Sequence, residues 1–297
     1  MKAWISAFRL RTLPLALSCI GMGAFLAAAA GSFNAPIFAM CCITTIFLQV
    51  LSNLANDYGD TVNGADHAGR TGPTRAVQSG AISPTQMRNA VVLFAGLALV
   101  SGVYLLWLAF GWQMRAFLFF LGLGLLSIAA AIAYTVGRRP YGYVGLGDLS
   151  VLLFFGIVGV MGSLYLFTGY AKIDDLWPAL SCGFFSMAVL NINNIRDIES
   201  DRAAGKYSIP VRIGRANAIK YHWFLLAGGV VAAVVYTFLN YRGWQQLLFL
   251  PVMVLLARNG KAVAQLPAHQ LDPYLKQMAL STLLFVVLFG IGLLLAV

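Results

Sequence analysis

The sequence predicts an all-α polytopic membrane protein of nine transmembrane helices, forming one membrane-embedded domain over residues 1–297. Three observations carry this. Hydrophobic residues make up 60% of the chain and charged residues only 10%, against about 25% charged in soluble domains. No charge occurs between Arg11 and Asp57, Arg88 and Arg115, Arg115 and Arg138, Asp148 and Lys172, or after Lys276, and neutral apolar runs of that length read as membrane-crossing helices. When the runs are threaded in order, all of the 20 basic residues except Arg115, Lys172 and Arg242 fall on one side, the bias that marks a cytoplasmic face.

The opening "MKAWISAFRLRTLPLALSCIGMGAFLAAAAG" imitates a secretory signal. Its apolar run, however, exceeds the ~7 to 15 residues of a signal core, and it reads as a short interfacial helix followed by a first span near 13–31. Further spans are expected near 36–56, 88–109, 116–135, 148–168, 177–196 and 219–239. The eighth, near 245–257, is the weakest, being short and carrying Pro251. Dropping it would leave nothing to separate Arg258 and Lys261 from Arg242, so it is kept. The ninth runs near 277–296. Nine crossings place the amino terminus in the cytoplasm and the carboxyl terminus outside. The net charge of +10 thus reports topology, and no nucleic acid is expected as a partner.

Cys19, Cys41, Cys42 and Cys182 sit in apolar runs without CxxC spacing, as small packing residues do. His67, His222 and His269 are read as lying in or beside loops, too scattered for a metal site.

The acids are concentrated instead. Of ten in the chain, six fall in "SNLANDYGD", the loop just after it, and "NNIRDIESD". An acid near a bilayer is costly, roughly 2.5 to 3.5 kcal/mol at a helix centre and less toward the ends, so a cluster implies a compensating partner. Asn53, Asp57 and Asp60 are spaced i, i+4, i+7, and Asn193, Asp197 and Asp201 i, i+4, i+8, each along one helix face. Both faces read NxxxD with an offset of 140 residues, and four helices separate them, so both face the same side. This is the pattern of a parallel duplication, with repeats of about four helices at 13–135 and 148–257 and the helix 277–296 added.

Two such faces packed together would repel unless cations held them. Mg²⁺ is the economical choice, because it takes oxygen ligands from one or two carboxylates together with substrate phosphates. "GRTGPTRAVQSG" (Arg70, Arg75), "YTVGRRPYGY" (Tyr134, Arg138, Arg139) and "DRAAGKYS" (Arg202, Lys206) add anion-binding candidates in Gly- and Pro-containing turns. Each arginine serves equally well as a topology-setting charge.

At these residues the sequence resembles the UbiA superfamily of intramembrane aromatic prenyltransferases. The resemblance covers essentially the whole chain and implies a UbiA-type bundle of nine helices with Asp-rich motifs on the second and sixth. Within the superfamily, "SNLANDYGD", "YTVGRRPYGYVGLGDLSVLLFFG" and "NNIRDIESDRAAGKYSIPVRIGR" are most similar to the branch that joins a polyprenyl diphosphate to 1,4-dihydroxy-2-naphthoate in menaquinone synthesis, in the inner membrane of the cell. The 4-hydroxybenzoate branch continues its first motif with a third aspartate four residues on. Gly64 stands there in this chain and the next acid is Asp66, which leaves a metal role for Asp66 open.

The resemblance implies Mg²⁺ held by Asn53, Asp57 and Asp60 on one helix and by Asp197 and Asp201 on the other. It implies diphosphate contacts from Arg138, Lys206 and Arg75, and substrate contacts from Asn193 and Tyr134. The allylic cation would be attacked by the naphthoate ring, with proton loss and decarboxylation following. "DYGDTVNGADHAGRTGPTR" is then a candidate lid, and Tyr134 and Phe155 are candidates to steady the cation. Asp148 opens the fifth span, either as a helix cap or as a contact for the aromatic acceptor. Another aromatic acceptor, such as 4-hydroxybenzoate, remains open. CDP-alcohol phosphatidyltransferases also use DxxxD, but their continuous signature beginning DGxxAR is absent. A secondary transporter would place its ionisable residues nearer the midplane, on broken helices.

Overall fold

The computed structural model describes residues 1–65 and 73–296. Asp66, His67 and Arg70 lie outside the described residues. Among the described residues, nine helical segments are long and apolar enough to cross a membrane, as expected. The protein is an integral, multi-pass membrane protein.

Helix α1 (Lys2–Phe8) stops at Arg9, a non-glycine residue held at φ 48° in the left-handed region, an uncommon conformation for an L side chain. A 3₁₀ turn, Leu10–Thr12, leads into α2 (Leu13–Ala29). Helix α3 (Ala35–Val62) starts where the Asn34 side chain accepts from the Ile37 N–H. Helix α4 (Pro84–Phe110) starts at a capping box between Ser83 and Gln86. In both, a proline in the first turn costs no hydrogen bond. Helix α5 (Met114–Ala133) buries none of its residues fully, packing on α3 and α4 along one side.

Helix α6 (Gly147–Thr168) is wound as a π-helix over Leu152–Gly162, an uncommon winding that often marks function. Its Gly156 meets α7 (Leu176–Arg196) so closely that a Cβ there would lie 2.9 Å from the Ala179 carbonyl and 3.1 Å from Gly183 Cα. Then come α8 (Ile198–Ala203), α9 (Ile209–Leu239), α10 (Val252–Gln265) and α11 (Asp272–Leu295). Helix α3 packs along α4 and α7 along α9. The main core gathers α2, α6, α7, α9, α10 and α11 around Phe185, Phe249, Phe285 and Phe289, which pack edge-to-face and tilted.

The structure departs from the sequence reading in several places. Helix α3 runs on to Val62, which puts Asp57 and Asp60 inside it. Helix α9 begins ten residues earlier than expected and absorbs a break at Gly214, φ 77°. Arg258 and Lys261 lie within α10, because its amphipathic face lets basic side chains reach outward while Asn259 and Gly260 are buried. His222 is not in or beside a loop. It is fully buried in α9, with its Nε2 paired to Asn259 Oδ1 at 3.0 Å, a polar cross-link between helices.

Candidate active site

Four of the five motif carboxylates are buried: Asp57, Asp60 and Asp197 are 2% exposed and Asp201 5%, while Glu199 is exposed. Carboxylates at that depth must be paired, and each has a partner from the chain itself. Asp57 accepts the backbone N–H groups of Ala76 and Val77, both at 3.2 Å. Asp60 meets the Arg75 guanidinium at 2.7 Å and the Tyr143 hydroxyl, which donates to it at 2.8 Å. Asp197 takes both arms of Arg196, at 2.8 Å each. Lys206 Nζ stands 3.8 Å from Asp60 and 3.6 Å from Asp201, joining the two motifs across 140 residues of sequence.

The backbone explains these positions. Gly59 lets α3 press against the end of α5, where a Cβ would sit 2.6 Å from the Thr135 carbonyl, and the Thr135 hydroxyl donates to the Ala55 carbonyl at 3.0 Å. Arg75 donates to the Asn56 carbonyl at 2.6 Å, seating the segment after the first motif on α3. In the second motif α7 ends at Arg196. Asp197 takes a non-helical φ of −100° and α8 restarts at Ile198, while Asp201 N–H still donates to the Asp197 carbonyl at 2.8 Å. The expected continuous face is therefore a kinked pair of helices. The chain turns back at Gly205, φ 71°, which brings Lys206 over its own motif, its Nζ 5.7 Å from the Tyr143 ring centroid.

Two cavities reach the motif residues. A polar one of 290 Å³ is walled by Asp57, Arg75, Asn193, Arg196, Arg9 and Arg11 together with α1, so both motifs open on one arginine-rich space. An apolar one of 370 Å³ lies between α2, α3, α4, α5 and the π segment of α6, lined by Leu106, Leu121, Phe155, Val158 and Gly162, with Asn53, Asn56, Tyr134 and Ser150 at its polar side. Asn53, on the apolar cavity, donates its amide to the Phe8 carbonyl at 2.9 Å and to Thr12 Oγ1 at 3.1 Å, while its Oδ1 accepts from Gln49 at 3.3 Å. Burial first, then Asp60 and Asp148, push the Tyr134 phenol up from its ordinary pKa.

Not every expected site residue is gathered here. Arg138 is exposed on the loop after α5, outside the cluster. Asp148 is the second residue of α6 and caps nothing. It accepts from the Tyr221 hydroxyl at 3.0 Å and lines neither cavity. Arg196 and Tyr143 were missed from sequence. Their only signal is adjacency to Asp197 for the first and a place in "RRPYGY" for the second.

An arginine-rich cavity lined by Asp57 and an apolar one lined by Asn53 and Asn56 of the same helix suit a ligand with an anionic head and a greasy tail. The chain matches the UbiA prenyltransferase family over residues 16–281, and it belongs to that family. It is 43% identical to the 1,4-dihydroxy-2-naphthoate octaprenyltransferase of Haemophilus influenzae, over 99% of this chain and 96% of that one. The apo structure of a UbiA homolog from Aeropyrum pernix K1 superposes with a TM-score of 0.70 at 17% identity, over 97% of this chain and 98% of that one. A UbiA homolog from Archaeoglobus fulgidus bound to DMAPP and Mg²⁺ gives 0.62 at 18% identity, over 97% and 99%. The fold is the one expected.

Proposed function

We propose that this chain transfers a polyprenyl group from polyprenyl diphosphate to 1,4-dihydroxy-2-naphthoate, giving demethylmenaquinol, at the cytoplasmic face of the inner membrane with the amino terminus in the cytoplasm. The prenyl C–O bond breaks, a C–C bond forms to the ring, the ring carboxylate departs as CO₂, and diphosphate is the other product. The observation that carries this reading is the gathering of four buried carboxylates with Arg75, Arg196 and Lys206, with Asp57 lining a polar cavity and Asn53 and Asn56 of the same helix lining an apolar one, in a chain so similar to a named octaprenyltransferase.

The donor set fits Mg²⁺. Asp57, Asp60, Asp197 and Asp201 offer hard oxygens, although among the described residues no three His, Cys, Asp or Glu side chains already converge on one point. The chain's own cations hold Asp60, Asp197 and Asp201, and backbone N–H groups hold Asp57, so loading exchanges partners rather than filling a vacant cage. When bound, the metal supplies Lewis-acid stabilisation of charge developing on the diphosphate. Arg75 and Lys206 then add charge-assisted hydrogen bonds to the same oxygens. The apolar cavity takes the prenyl tail and keeps water from the reacting carbon, and Tyr134, a neutral phenol, orients the ring. The NxxxD pair and the packing of α3 on α4 and of α7 on α9 favour descent from a duplicated four-helix unit.

Mass spectrometry of the product tests this. Supplied with a prenyl diphosphate and either 1,4-dihydroxy-2-naphthoate or 4-hydroxybenzoate, the protein is expected to prenylate the naphthoate with loss of CO₂. Exclusive prenylation of 4-hydroxybenzoate, or uptake of solute into proteoliposomes without any transfer, would refute it.

A further inference from the structure

We infer that Asp272, outside both acidic motifs at the start of the last helix, is a positioning residue that keeps Arg196 paired when Asp197 is given over to a divalent ion. This rests on the proposed Mg²⁺-dependent reaction. Arg196 is 3% exposed. Its Nε and Nη2 cover both oxygens of Asp197 at 2.8 Å, and Nη2 also reaches Asn193 Oδ1 at 2.7 Å. Its Nη1 donates to Asp272 Oδ1 at 2.6 Å, while Asp272 Oδ2 accepts from Arg11 at 2.6 Å. Three segments distant in sequence thus form an alternating chain of charges, Arg11, Asp272, Arg196, Asp197.

The grip of Arg196 on Asp197 occupies both oxygens that a metal would need. A guanidinium buried that deeply is not released without a substitute counter-charge, because an uncompensated buried charge is strongly unfavourable. Asp272 is that substitute. It bonds a different nitrogen from those that hold Asp197, so it stays in place when Asp197 turns away. Among the described residues, Asp197 and Asp272 are the two carboxylates in ion-pair contact with Arg196. Without Asp272 the whole attraction of Arg196 falls on Asp197, and a divalent ion must compete with it undivided.

The test uses the full-length protein in detergent, titrated with Mg²⁺ in the presence of an unreactive prenyl thiolodiphosphate. The readout is the rise in melting temperature, with prenyl transfer from the true substrate measured in parallel. Asp272→Asn is expected to raise the Mg²⁺ midpoint about tenfold in both, the scale of one charge-assisted hydrogen bond. Asp272→Glu should return it to within about twofold of wild type, and Arg196→Gln should lower it. In the Arg196→Gln background, adding Asp272→Asn should move the midpoint by less than about twofold, and this arm stands even where the single Asn variant does not fold. A merely structural Asp272 would lower the melting temperature equally at every Mg²⁺ concentration and leave the midpoint unmoved, which overturns the inference alone. A wild type with no Mg²⁺ midpoint overturns the Mg²⁺ reading and the inference with it.

Discussion

Replacing Lys206 by Met keeps an unbranched stem of similar length and deletes the charge that bridges the two motifs. The ammonium lies 3.8 Å from Asp60 and 3.6 Å from Asp201, with side-chain exposures of 8%, 3% and 7%. Removing one member of a buried ion pair costs about 3 to 5 kcal/mol. Both contacts exceed hydrogen-bond length and Asp60 keeps Arg75 at 2.7 Å, which places this case at the lower end, about 3 kcal/mol. At roughly 2 to 4 °C per kcal/mol, the melting temperature in EDTA should fall by about 6 to 12 °C. Divalent ions, held in place by a diphosphate analogue, can supply the missing positive charge, so saturating both should recover at least about half of the loss. Prenyl transfer should stay at least about tenfold slow even then, because the ammonium no longer meets the leaving group. The assay is a pair of thermal melts in detergent, with EDTA and with Mg²⁺ plus analogue. Equal losses in the two, or none in EDTA, would show that Lys206 does not hold the acids together.

Asp57→Asn and Asp197→Asn should each slow prenyl transfer by about 100-fold or more, with membrane insertion intact, and EDTA should stop the wild-type reaction until Mg²⁺ is restored. Val158→Trp fills the apolar cavity, so transfer of a long prenyl chain should fall well below transfer of a ten-carbon one in a competition assay read by mass spectrometry. Gly156→Ala pushes a methyl into the Ala179 carbonyl, and about 1 to 3 kcal/mol of overpacking should appear as a lower melting temperature. Reporter fusions after Lys206 and at the carboxyl terminus should fall on opposite sides of the membrane, and finding them together would remove a crossing.

The crossings were legible because lipid forbids charge for some twenty residues at a time, a constraint written directly into runs such as 12–56. The acidic motifs were legible because NxxxD is local and helical spacing turns it into a face. What escaped was non-local or conformational. The pairing of Arg196 with Asp272 spans 76 residues, and either residue alone looks like an ordinary charge at a helix end. The break at Asp197 and the π winding at Leu152–Gly162 arise from tertiary contacts that no periodicity encodes. The acids need counter-charge, and residues distant in sequence supply much of it: Arg75 and Lys206 stand against Asp60, Lys206 against Asp201 and Arg196 against Asp197, which makes metal loading an exchange of partners. The same blindness to distance misplaced His222, whose polar partner Asn259 lies on another helix.

The most direct test of the shared site is a Mn²⁺ titration of the purified protein with an unreactive prenyl thiolodiphosphate, followed by electron paramagnetic resonance. The account predicts bound Mn²⁺ whose signal couples to phosphorus and is lost on neutralising Asp57 in one motif or Asp197 in the other. Binding that survives either substitution unchanged would contradict it.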